Sequence, residues 1–147
     1  MISHLMHEQI SKFWEPIQYA VLNSVPPYVG EGGDTVNSVM QALLVGNMHC
    51  ALISEKVDGE VKLFGIAIFS YEIDSLSNTR HLLLYSFYSY RPMLIVLWKE
   101  LYEYGRNLAK ENDCQKIVFY TKVPRLIELA KKFAGADLSQ TVVAMEV

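Results

Sequence analysis

Two side chains with acid–base chemistry flank a polar segment in the middle of the sequence. Glu72 precedes residues 74–80, which include Asp, Ser, Asn and Thr, and His81 follows them. A carboxylate or an imidazole held at a strand end can accept a proton, and histidine titrates near neutral pH. The alternative is that Glu72, Asp74 and His81 are ordinary solvated residues beside a loop. We predict Glu72 and His81 as candidate general bases.

A second candidate site is the corner at residues 89–92, Ser-Tyr-Arg-Pro, which separates an aromatic strand from a long helix. Free backbone amides and the positive end of the helix dipole favour an anion, such as phosphate, at the start of a helix. Arg91 could hold that anion by its charge, or could be an ordinary exposed arginine. Pro92 has no N–H to offer and suits the first turn of a helix, so the corner could equally serve only to turn the chain.

The composition is that of a globular protein. The chain has 147 residues, of which 51% are hydrophobic and 20% charged, so we expect one domain over residues 1–147. A net charge of -3 and scattered basic residues argue against a nucleic-acid binder. No long apolar span, signal peptide or lipidation motif is present, so we expect a cytoplasmic protein that does not bind membranes.

The sequence does not predict a metal site. Cys50 and Cys114 are far apart and lack CxxC spacing, so both are expected to be buried thiols. His4 and His7 lie near the start of the chain, whereas His49 directly precedes Cys50. Neighbouring residues of a strand point to opposite faces, so His49 and Cys50 cannot both face one metal ion.

The first part of the chain reads as helical. Apolar residues recur at helical spacing from about Glu8, and Pro16 should kink or restart that helix. Pro26-Pro27 ends it, and a loop with Gly30, Gly32 and Gly33 follows, either a mobile lid or a tight turn. Asp34 is predicted to cap a second helix.

From His49 the pattern changes to strands. Two β-rich runs surround Asp58-Gly59, a strong hairpin signal, and a third run covers residues 80–90. A long helix follows to about Asn112, then a short apolar strand at residues 116–121 that we expect to be covered on both faces. A last helix ends at Gly135, and residues 140–147 are predicted to form a final strand. The buried stripe of the long helix is predicted at Leu94, Leu97, Trp98, Leu101, Tyr104 and Leu108.

These elements predict an α/β (α+β) fold. An antiparallel meander of three strands is followed by strand–helix–strand units, so the central sheet should be mixed, with helices on both faces. The residues 93–98 are apolar right round the long helix. Their outer face needs a cover, which the N-terminal helices or a second subunit could provide, so a homodimer is one expectation.

This order of elements resembles that of the GNAT superfamily of acyl-CoA-dependent N-acetyltransferases. The segment "LWKELYEYGRNLAKENDCQKIVFYT" is similar to the family's long helix and the strand after it, and "LAKKFAGAD" is similar to its last helix and glycine turn. The loose motifs also resemble small GNAT-like proteins encoded by bacteriophages. The resemblance implies transfer of an acetyl group from acetyl-CoA directly to a small amine or a peptide.

The resemblance also implies where acetyl-CoA or CoA would bind. In that family the cofactor lies where the fourth and fifth strands separate, and a Gln/Arg-x-x-Gly-x-Gly/Ala turn holds its pyrophosphate. Here that turn falls on residues 89–94, with Pro92 and Leu94 in place of the small residues. The residues implied in cofactor binding are Phe87, Tyr88, Ser89, Tyr90, Arg91 and Met93.

The catalytic acid of the family has no counterpart here. The family often carries a tyrosine four residues before the last helix's glycine, where this chain has Lys131. Tyr88 and Tyr90 share one face of their strand and could line a pocket, with either hydroxyl as a substitute acid, or they could simply pack in the core. Of the two, Tyr88 is predicted as a catalytic residue. The alternative functions are therefore an inactive GNAT-fold interaction or accessory protein, or a sensor that binds acyl-CoA without turning it over.

Overall fold

The computed structural model describes residues 1–27, 29–30 and 34–147. Within them the order of helices and strands follows the prediction as far as the last helix, with one additional strand at the start of the chain. The strands are β1 (Ile2–His4), β2 (His49–Val57), β3 (Glu60–Asp74), β4 (Thr79–Ser89) and β5 (Ile117–Phe119). The helices are α1 (His7–Ile10), α2 (Trp14–Asn23), α3 (Asp34–Leu44), α4 (Ile95–Glu111) and α5 (Pro124–Ala134).

The strands form one mixed sheet, as the sequence predicted. Their order is β1-β2-β3-β4-β5; the first four are antiparallel neighbours, and β5 runs parallel to β4. The β2–β3 hairpin turns at Asp58 and Gly59, whose φ angles of 53° and 82° are both positive. Glycine and aspartate tolerate that left-handed conformation, which is why this dipeptide predicted the turn.

Helices cover both faces of the sheet, which confirms the predicted layers. On one face, here called the N-terminal face, α1, α2 and α3 pack against Cys50, Leu52, Ile66 and Ile68. On the other face, here called the α4 face, helix α4 packs against the alternate residues of the strands. These are Ala51, Ile53, Ala67, Phe69 and Leu82. The alternation of side chains along β2 and β3 therefore fills two separate cores.

Proline punctuates the first helical region as predicted. A 3-10 turn at Ser11–Phe13 separates α1 from α2, and Pro16 lies in the first turn of α2. A proline there removes no intrahelical hydrogen bond, so the helix restarts without strain. The glycine loop before α3 includes Gly32 and Gly33, which lie outside the described residues, and α3 begins at Asp34 itself.

At the sheet edges one strand was missed and two predictions were wrong. Strand β1 was not predicted, because three residues are too few for a periodic pattern. The predicted final strand at residues 140–147 is absent: no regular structure follows α5, and Val142 and Val143 are 55% and 76% exposed, so they pair with no neighbour. Strand β5 is half-buried rather than covered on both faces, because it lies at the edge of the sheet.

Candidate active site

Strands β4 and β5 separate after three residues. Leu82, Leu83 and Leu84 pair with Ile117, Val118 and Phe119, and β5 then ends while β4 continues to Ser89. In the described part of the chain, residues 86–89 therefore have partners in β3, and residues 85–89 have none on the β5 side. We call this opening the fork. An unpaired strand edge offers a row of N–H and C=O groups for hydrogen bonding.

A β-bulge lies at the apex of the fork. Strand β3 pairs Ile68 with Ser86 and Phe69 with Leu84, so Tyr85 is an extra residue in β4. The Ser86 hydroxyl is hydrogen bonded to the Ser24 hydroxyl at 2.8 Å and donates to the Ala20 carbonyl at 3.3 Å. These contacts with α2 and the loop after it hold Ser86 toward the N-terminal face. Bulges re-aim side chains and are common beside active sites.

A cavity of about 400 Å³ opens at the same tyrosine. It lies on the N-terminal face, between the first turns of α3 and strands β3 and β4. We call it the α3 pocket; its described lining residues are Val29, Asp34, Thr35, Ser38, Val39, Met48, Ser70 and Tyr85. Burial raises the pKa of Tyr85, so its phenol keeps its proton at neutral pH. The fork and the pocket thus meet at Tyr85.

The predicted bases Glu72 and His81 lie side by side. They are directly opposite each other in the β3–β4 ladder, so their side chains project from the same face. Glu72 is two positions from Ser70 along β3, which puts it on the pocket's side of the sheet. The Nδ1 atom of His81 is buried and has no hydrogen-bond partner among the described residues. Burial, then the charge of Glu72 and a hydrogen bond to it, raise the pKa of Tyr120.

The predicted phosphate corner forms a tight turn. The Ser89 hydroxyl donates to the Arg91 carbonyl, and the Tyr90 amide donates to the Phe64 carbonyl at 2.9 Å, so that amide is already used. The Arg91 guanidinium is exposed and lies over the Phe64 ring, 5.2 Å from its centroid. Arg91 therefore lies at the open end of the fork. Met93 is half-buried against the core beneath α4.

Helix α4 starts later than predicted. Leu94 is extended, with φ -71° and ψ 147°, so the first helical residue is Ile95 and Pro92 lies in the preceding loop, not in the first turn. Leu94 is 50% exposed and does not belong to the buried stripe. No side chain caps the helix, so its first amides retain hydrogen-bonding capacity toward an anion.

The two predicted aromatic residues of β4 face opposite ways. Phe87 packs on the α4 face against Trp98, with ring centroids 4.9 Å apart. Tyr88 lies on the N-terminal face, in edge contact with Tyr19 at 5.2 Å and with Tyr90 at 5.1 Å. A hydrogen bond with Tyr19 raises the pKa of Tyr88. Tyr88 and Tyr90 thus share one face, as predicted, and flank the open end of the fork.

The structure divides the predicted site residues into two groups. Glu72 and His81 are adjacent to each other, whereas residues 87–93 lie at the other end of β4. His81 and Ser89 are eight positions apart, about 26 Å along an extended strand. Tyr85 lies between the groups, and neither Tyr85 nor Asp34 was predicted as a site residue. A bulge leaves no mark in the sequence pattern, and Asp34 was interpreted only as a helix cap.

A second cavity, of about 230 Å³, lies away from the fork and has three histidines, His4, His7 and His49, in its wall. Nδ1 of His4 is hydrogen bonded to the Tyr104 hydroxyl, and Nε2 of His49 to the Tyr71 hydroxyl, both at 2.8 Å. Burial, followed by the charge of His4, lowers the pKa of His49.

No group of three or more potential metal ligands is found among the described residues, and no described helix could span a membrane.

Comparison with solved structures identifies the fold. A ribosomal-protein-alanine N-acetyltransferase from Brucella melitensis biovar Abortus 2308 superposes with a TM-score of 0.60 and 18% identity, covering 99% of each chain. A predicted acetyltransferase from Clostridium acetobutylicum, solved with acetyl-CoA, has a TM-score of 0.64 and 13% identity, covering 99% of this chain and 96% of that one. An aminoglycoside N-acetyltransferase in complex with CoA has a TM-score of 0.66 and 12% identity, covering 100% and 93%.

No protein-family model matches the sequence, and no curated protein matches it either. The similarity is therefore one of architecture over the whole chain, at a sequence identity that establishes the fold alone. The mixed sheet, with helices on both faces, is the GNAT acetyltransferase fold that the sequence predicted.

Proposed function

We propose that this protein is an N-acetyltransferase that moves an acetyl group from acetyl-CoA directly to an amine. The observation that carries the proposal is the meeting of the fork and the α3 pocket at the Tyr85 bulge. Two substrates that enter from different sides of a sheet need one point of contact. The bulge supplies it, and solved relatives in fold hold CoA or acetyl-CoA.

The donor substrate would lie along the open edge of β4. Its amide groups can pair with residues 85–89 as an added strand does, because that edge lacks a β5 partner. Its pyrophosphate would lie at the uncapped start of α4, near Arg91. The predicted residues Phe87, Tyr88, Ser89, Arg91 and Met93 flank this path. Tyr90 can contribute only its ring, because its amide donates to the Phe64 carbonyl and its hydroxyl donates to the Pro16 carbonyl at 2.6 Å.

The chemistry requires two proton transfers. The amine must be neutral when its nitrogen attacks the thioester carbon, so a base must take its proton, and the C–S bond then breaks to leave a thiolate that needs a proton. Glu72 and His81 are the proposed bases, on the pocket's side of the sheet. Tyr88 was the predicted acid; Tyr85 is the better placed candidate, because it lies at the apex and burial keeps its phenol protonated.

Calorimetric titration with CoA and acetyl-CoA tests the first requirement. We expect Arg91→Ala to weaken binding about tenfold, since a charge-assisted contact to phosphate contributes roughly 1.5–3 kcal/mol and part of it is lost to solvent. Arg106→Ala is the matched control, because Arg106 is exposed farther along α4 and forms its ion pair, among the described residues, with Glu103 on the same helix. Absence of CoA binding at millimolar concentration, or equal loss in both variants, would contradict the proposal.

One observation favours a second function, a GNAT-fold accessory protein without catalysis, of the kind suggested by the resemblance to bacteriophage proteins. Leu94, Ile95 and Val96 are each about half exposed at the start of α4, at 50%, 48% and 51%. Leu94 stands where the resemblance implies a small residue that lets a phosphate approach, and the three side chains could instead contact a partner or a second copy. Light scattering that shows a dimer, with no CoA binding, would select this alternative.

A further inference from the structure

The described polar groups that line the α3 pocket are acidic or neutral. Its described lining carries one carboxylate, Asp34, and hydroxyl groups of Thr35, Ser38, Ser70 and Tyr85, and none of those residues is basic. Val29, Val39 and Met48 supply its apolar wall. A cavity of about 400 Å³ is within the range for small-molecule sites. The lining therefore suits a small cation that can also form hydrogen bonds.

The carboxylate and the reaction centre lie on different walls of the pocket. Asp34 belongs to the first turn of α3, whereas Tyr85 belongs to β4 at the apex of the fork, where the thioester of the donor would lie. The attacking nitrogen must therefore lie elsewhere in the pocket, beside Tyr85 at the apex of the fork. A cation bound by Asp34 is consequently a second group of the same acceptor.

We infer that the acceptor is a small molecule with at least two amino groups, one bound as an ammonium by Asp34 and the other acetylated beside Tyr85. This inference rests on the proposed acetyltransferase function and specifies its substrate class. Asp34 also begins α3, where a negative charge stabilises the helix. The experiment must therefore separate a role in binding from a role in folding.

The test compares two amines of equal chain length, 1,4-diaminobutane and n-butylamine. We expect the diamine to have the higher kcat/KM by about three- to tenfold, because Asp34 is exposed and solvent reduces the contribution of its charge-assisted hydrogen bond. Asp34→Asn should reduce that preference to nearly one while leaving the affinity for CoA unchanged. Asp58→Asn, in the distant β2–β3 turn where asparagine also tolerates a positive φ, is the control and should retain the preference.

Calorimetry with each amine alone keeps the two proposals distinguishable. Tighter binding of diaminobutane that is lost in Asp34→Asn supports the inference, even if no acetyl-CoA binds and the proposed function fails. Equal use of both amines, or a preference unaffected by Asp34→Asn, overturns the inference while acetyl transfer itself stands. Circular dichroism melts of both variants exclude loss of folding as the cause, because asparagine is also accepted at helix starts.

Discussion

Gly65 is the position where a single methyl group tests the geometry of the fork. It is buried in β3 opposite Ser89, and a Cβ atom there would lie 2.8 Å from the Tyr88 carbonyl oxygen. Real Cβ atoms do not approach a backbone oxygen so closely, and the obstacle is main chain rather than a side chain that can rotate. In Gly65→Ala the end of β4 must move away from β3.

The expected cost follows from two opposing effects. Overpacking of a buried site costs about 1–3 kcal/mol, and the reduced freedom of alanine in the unfolded chain returns about 0.4–1 kcal/mol. We therefore expect Gly65→Ala to lower the free energy of unfolding by about 1–2 kcal/mol. Gly105→Ala, inside α4, should do the reverse: its Cβ would have ordinary contacts, 3.5 Å from Phe69 and 3.6 Å from Ile117. Alanine is favoured over glycine in a helix by about 1 kcal/mol.

Urea denaturation followed by circular dichroism measures both variants. With a slope of about 2 kcal/mol per M, the midpoints of Gly65→Ala and Gly105→Ala should differ by about 1–1.5 M, on opposite sides of the wild type. A Gly65→Ala protein as stable as the wild type would refute the close approach of β3 and β4 at this point. Equal loss of stability in both variants would also contradict the space around Gly105, where a Cβ atom should make only ordinary contacts with Phe69 and Ile117.

Two further predictions concern the proton transfers and the histidines. Glu72→Gln should lower kcat about a hundredfold or more, with CoA affinity unchanged in calorimetry. One of Tyr85→Phe and Tyr88→Phe should have the same effect, and we expect it to be Tyr85→Phe. An unchanged kcat in both tyrosine variants would contradict a phenolic acid. Burial, followed by the charge of His4, holds the folded-state pKa of His49 below its ordinary value of 6.5, so the unfolded chain binds that proton more readily. The stability contributed by neutral His49 should therefore be fully present above about pH 6.5 and be lost as the pH falls toward the folded-state pKa. Urea midpoints at pH 7.5 and 5.0 should differ less in His49→Gln than in the wild type. An identical difference in both proteins would exclude His49 as a cause.

The elements with a strong local signal were predictable from the sequence. The Asp58-Gly59 turn, the restart at Pro16 and the buried residues Leu97 and Leu101 of α4 all depend on a few neighbouring residues. The sheet edges were not predictable, since a strand at an edge depends on what lies beside it. Residues 140–147 have a β-rich composition, but no neighbour pairs with them in the structure.

The site was predictable only in part. The sequence pointed to residues 89–93 at the start of the long helix, and their neighbourhood is indeed the open end of the fork. The start of α4 depended on the extended backbone at Leu94, which no residue type near it requires. The Tyr85 bulge depends on Ser86 meeting Ser24 across 62 positions of sequence, a contact that no local pattern contains.

The early end of β5 also has a consequence for handling the protein. The edge of residues 85–89 that has no β5 partner, followed by the half-exposed Leu94, Ile95 and Val96, is a surface on which a strand from another molecule can add itself. Self-association through this surface would compete with any small molecule that occupies it. Concentrated samples should accordingly stay clear longer when CoA is present throughout purification.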